Sequence, residues 1–172
     1  FPIRAGSYGG GGWAMNQEII RRIRQVLLVL LILGLLYYPF YSGDSRTDCK
    51  TMEAAITKQI KSETMNKQDA NGLKRYYDIS VKDTEGFILY TPKSMMDVDE
   101  LLIIKLKTGD DGAVFRKAVE ARLATQLKNF NGYGTNQTEL LNKHKLVIKK
   151  GYLFYAVSKQ ADTWKQIFQD AL

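Results

Sequence analysis

A single cysteine, Cys49, excludes any internal disulfide. A single histidine, His144, cannot join that cysteine to supply the nitrogen and sulfur ligands of a usual zinc site. Nucleophilic catalysis needs a base that a carboxylate holds against its nucleophile. His144 lies instead between Lys143 and Lys145, and no spacing brings Cys49 or a serine to it. His144 therefore reads as a surface histidine and Cys49 as a bystander. The glycine run Gly9–Gly12 follows no strand, so it offers no phosphate cradle. Carboxylates gather at Asp97, Asp99 and Glu100 and at Asp110-Asp111, without the spacing of a calcium loop. The expectation is no metal and no cofactor.

Long runs of one charge are also missing. The chain has 25 Lys+Arg and 18 Asp+Glu. Five and three of these precede Lys50, which leaves 20 and 15, or +5 (20 − 15), for the remainder. The excess is dispersed lysine, without the basic stripe that nucleic acid requires. It is compatible with a mild attraction to an anionic wall polymer.

What is present is a long apolar run. Arg21, Arg22 and Arg24 lead into 16 uncharged residues, Val26–Tyr41, which close on Tyr37, Tyr38 and Tyr41. A basic flank, an apolar block and an aromatic belt describe a membrane segment, with these six residues at its interfaces. At roughly 1.5 Å per residue the block is about 24 Å long, short of the ~30 Å hydrocarbon core. Ile19, Ile20 and Ile23 extend its apolar face backward, and Arg24 can snorkel. A signal peptide that is cut and released is the alternative, but Tyr41-Ser42-Gly43 puts a bulky residue where a small one is needed. The polar residues before Cys49 do not form a lipid-attachment site.

This predicts a flexible, artefactual extension at residues 1–14, upstream of a natural start at Met15. A cytoplasmic basic flank (15–25), a single-pass signal-anchor (26–41), a linker (42–49) and an extracytoplasmic domain (50–172) follow. The domain is large enough for one core.

Within the domain, helical spacing predicts helices over Thr51–Met65 and Gln68–Tyr76, the second with Leu73 and Tyr76 inward. Strands are expected at Ile79–Lys82, Phe87–Thr91 and Glu100–Lys107. Gly109–Gly112 breaks the chain before a helix over Ala113–Asn129, and a short helix follows at Gln137–Lys143. Leu146–Lys149 and Tyr152–Ser158 read as a hairpin around Lys150-Gly151, and Trp164, Ile167, Phe168 and Ala171 mark a last helix. The order ααβββα(α)ββα implies an α+β fold, a small and mostly antiparallel sheet packed with helices.

Two constellations stand out. Glu100 shares a strand face with Leu102 and Ile104, while Arg122 and Gln126 fall in the apolar stripe of the long helix. An inward arginine requires a carboxylate, because an unpaired buried charge is very costly. Glu100 and Arg122 are expected to meet, either as a pair that fixes helix on sheet or as the polar centre of a pocket. The loop bearing Asn131, Tyr133, Asn136 and Gln137 mixes an aromatic ring with amides, as sugar-binding surfaces do; alternatively, Tyr133 plugs the core.

The stretches LKRYYDIS, MMDVDELLIIKLK, AVEARLATQLKNFNGYGTNQ, GYLFYAVS and IFQDAL resemble a family of uncharacterised bacterial envelope proteins, domain of unknown function 4358, over roughly residues 50–172. The resemblance implies a small Gram-positive envelope protein with an N-terminal anchor or lipoprotein signal, and an association with membrane acyltransferase systems that decorate surface glycans. It carries no established activity. The expected function is a non-enzymatic accessory or binding module, with the membrane and an envelope protein as partners and no nucleic acid. A wall-polymer or glycan-binding domain is the alternative. A carboxylate enzyme built on Glu100 with Asp97 or Asp99 is the third reading.

Overall fold

The computed structural model describes residues 12–42, 47–60 and 63–172, and on the first of these stretches the side chains of residues 18–33. The chain divides into two compact units, Phe1–Ser42 and Gly43–Leu172.

The first unit carries helix α1 (Gly12–Ser42). It begins before Met15, so the last residues of the stretch expected to be flexible are helical; residues 1–11 lie outside the described residues. Ile19, Ile20, Ile23 and the apolar side chains from Val26 to Leu33 are exposed. Among the described residues no helix is long and apolar enough to cross a membrane. The side chains of 34–41, which the expected transmembrane helix needs, lie outside the described residues, and with them Tyr37, Tyr38 and Tyr41.

The second unit is α+β. Five strands form one antiparallel sheet in the order β1-β2-β3-β5-β4: β1 (Met65–Lys67), β2 (Gly86–Pro92), β3 (Glu100–Lys105), β4 (Lys145–Lys149) and β5 (Tyr152–Val157). Helices cover both faces. On one face α2 (Cys49–Ile56) and α6 (Ala161–Ala171) enclose Met52, Ile56, Trp164 and Phe168 against Leu101, Ile103 and Phe154. On the other, α3 (Ala70–Tyr77), α4 (Ala113–Phe130) and α5 (Thr135–Asn142) enclose Leu73, Phe115, Val119 and Leu141 against Leu102, Ile104 and Tyr155. With helices on both sides, the central strands read as continuous apolar runs, Leu101–Ile104 and Tyr152–Val157.

Local chemistry sets the joints. Asp69 caps α3 by accepting from the Gly72 amide at 3.0 Å. Asp110 and Asp111 accept from the Gly112 and Ala113 amides and so start α4. Lys150 and Gly151 both take positive φ, 48° and 75°, as a two-residue hairpin demands.

Two expected elements differ. The helix predicted over Thr51–Met65 stops at Ile56, and a 3-10 turn follows at Thr57–Gln59. Met65 is instead drawn into strand β1, where it faces Pro92 and lies buried. The strand predicted at Ile79–Lys82 is a 3-10 turn, Val81–Asp83. Ser80 caps it, and both edges of β2 are already occupied by β1 and β3, which leaves no ladder for another strand.

Candidate functional site

Glu100 opens β3 on the face covered by α4 and is fully buried. Arg122 Nη2 donates to Glu100 Oε2 at 3.1 Å and Arg122 Nε to Oε1 at 3.4 Å. Gln126, one helical turn on, donates from Nε2 to Oε2 at 3.0 Å. Tyr77, at the end of α3, donates its hydroxyl to Oε1. The three side chains expected to converge, Glu100, Arg122 and Gln126, are thus in contact. Four donors on one carboxylate are what an ionised buried glutamate requires.

The cluster is closed. The side chain of Arg122 is 18% exposed and that of Glu100 0%. The ring of Tyr76 lies 5.0 Å from the Arg122 guanidinium carbon. Burial pushes the Tyr77 hydroxyl well above its ordinary range, and the Glu100 charge pushes the same way. Burial opposes the charge on Arg122, but the Glu100 carboxylate outweighs it, and the guanidinium is held above its usual value. Burial also raises the Tyr155 hydroxyl, which has no hydrogen-bond partner among the described residues; neither has Gln126 Oε1. General acid or base work requires reach to a substrate proton, and Glu100 has no exposed surface. It is also absent from the walls of the groove that Asp97 and Asp99 line.

That groove is the second feature, with a volume of about 420 Å³. It is built from four separate segments: Thr64 and Met65, the Asp97–Asp99 loop, the start of α5, and the joint between β5 and α6. Two of the loop residues singled out from sequence, Asn136 and Gln137, line it. Gln137 also donates to the Met96 carbonyl at 2.9 Å and so fixes α5 against that loop. The other two stand apart. Asn131 is exposed, and Tyr133 is 65% exposed with its ring 6.0 Å from that of Phe130, so it does not plug the core.

Arg21, Arg22 and Arg24 are exposed on α1, with Arg21 near Glu18 at 3.5 Å. His144 is half-buried rather than a surface residue, its Nδ1 2.8 Å from the Leu141 carbonyl and its ring 6.0 Å from that of Tyr155. The adjoining helix end and β5 hold it there. No group of His, Cys, Asp and Glu among the described residues is arranged to hold a metal ion.

Sequence reasoning missed Tyr77 and Trp164. It turned Tyr76 inward, yet Tyr77 follows Leu73 by four residues and is the buried member of the pair. Trp164 marks the last helix in the sequence, and its place at the groove depends on segments far away in the chain.

A family model described as domain of unknown function (DUF4358) matches residues 58–158. The match takes in more than half of the chain, including every strand, Glu100, Arg122 and the Asn131–Gln137 loop; the chain belongs to this family. Neither the curated proteins nor the solved structures gave a match.

Proposed function

For this member of the DUF4358 family, we propose a non-enzymatic accessory or binding module of the bacterial cell envelope. In this reading α1 anchors the chain in the cytoplasmic membrane and the α+β domain stands on the outer side. The closure of Glu100 carries the proposal: the buried Glu100–Arg122 ion pair is enclosed between sheet and helix, as a structural pair would be. Among the described residues Glu100 lies outside the groove that Asp97 and Asp99 line, which favours the binding reading over a carboxylate enzyme. The continuous helix of α1 and its exposed arginines support the anchor.

Crosslinking the tagged full chain in cells, followed by mass spectrometry of the solubilised species, tests this. A defined membrane-protein partner is expected. A chain recovered from the cytosol, or no reproducible protein partner, overturns the reading.

A further inference from the structure

The groove beside Trp164 continues into a second one of about 680 Å³, and the two share Asn136, Leu140, Ser158 and Lys159 as a common wall. Each volume lies in the range of roughly 300–1,000 Å³ typical of ligand sites. Two lobes with a shared wall suit a ligand longer than it is wide.

The walls define its chemistry. Trp164 forms the floor: it is 2% exposed, and its indole N–H is buried beneath the surface, with no acceptor among the described residues, rather than presented to the groove. Asp97 brings a carboxylate that accepts, and Asn136 and Gln160 bring amides that do both. Met65 and Leu140 add apolar surface. A hydroxyl group both donates and accepts, so a chain of hydroxyl-bearing rings can meet all of these at once, with its C–H faces on the apolar surface.

Charge narrows the class. The two lobes together present four carboxylates and three lysines. Two of those lysines are already paired, Lys143 with Glu139 at 2.6 Å and Lys145 with Asp162 at 2.9 Å. Such walls give an anionic polymer no net attraction, although the domain as a whole is basic.

We propose that this double groove binds a linear, uncharged saccharide chain. The proposal rests on the binding-module reading above and adds the ligand class and the site.

The chain has two tryptophans, Trp13 and Trp164. A full-length Trp13→Phe protein in detergent micelles therefore reports from the groove alone. We would titrate it with cellotriose, chitotriose and inorganic polyphosphate, following indole emission. A saturable change with either trisaccharide is expected, at a half-point that Asn136→Ala raises several-fold without lowering Tm. Response to chitotriose alone would assign N-acetylated units, and response to both would assign plain pyranose recognition. No saturable change with either sugar, an unaltered half-point in Asn136→Ala, or a response to polyphosphate alone would overturn the proposal. A crosslinked membrane partner with no sugar response would remove this inference and leave the accessory reading standing.

Discussion

Arg122 grips Glu100 with two nitrogens, Nη2 at 3.1 Å and Nε at 3.4 Å, across the boundary between α4 and β3. Helix and sheet are locked in one register by this contact. The apolar residues around it, such as Val119 and Leu102, have no directional preference of their own.

Arg122→Met should lower stability by about 3–5 kcal/mol, because it strands a buried carboxylate. Adding Glu100→Gln should recover part of that loss, since the amide oxygen still accepts from Tyr77 and the charge is gone. Urea midpoints of the three proteins measure this. A loss under about 1 kcal/mol, the size for an exposed pair, would show that the contact is solvated.

Alkaline pH should weaken the fold. The Tyr77 hydroxyl is raised in the folded state, chiefly by burial and then by Glu100. Below about pH 10 tyrosine is neutral in both states, so its contribution is fully present. Above that, the unfolded chain releases the proton while the folded chain keeps it, and stability falls as pH rises. Tyr155 behaves likewise. Tyr77→Phe should start from a lower stability, through the lost hydrogen bond, but decline less steeply between pH 9 and pH 11. Parallel slopes for the two proteins would contradict the assignment.

Gly86 leaves room for Cys49. A Cβ on Gly86 would lie 2.7 Å from Cys49 Sγ and 3.3 Å from its Cβ. Gly86→Ala should cost about 1–3 kcal/mol by overpacking. Cys49→Ala in the same chain removes the sulfur and should restore most of it. Additive losses in the double variant would rule out this contact as the cause.

Cys49 should react slowly as a thiol. It is half-buried, and burial raises its pKa, with the Tyr152 hydrogen bond pulling the other way. Modification by iodoacetamide at neutral pH should be slow in the folded chain and fast in urea. Equal rates would mean that the site is open.

The Glu100–Arg122 contact was legible in the sequence because two charges on opposite apolar patterns have few alternatives. The turn chemistry of Asp110-Asp111 and of Lys150-Gly151 was legible for a similar reason, since caps and positive φ depend on neighbouring residues. Strand β1 was not legible. Three residues carry no usable period, and Met65 looked like the end of a helical stripe until β2 offered its edge.

The sequence by itself determined the elements whose signal is local: the long helix α4, the hairpin of β4 and β5, the final amphipathic helix, and the apolar run on α1. Tertiary structure alone decided that Tyr77 joins Glu100, that the carboxylate is sealed, and that residues from Thr64 to Trp164 share one groove. Periodicity shows which face of an element is buried. Which distant side chains meet there depends on the strand order β1-β2-β3-β5-β4, which is set when sheet and helices pack together.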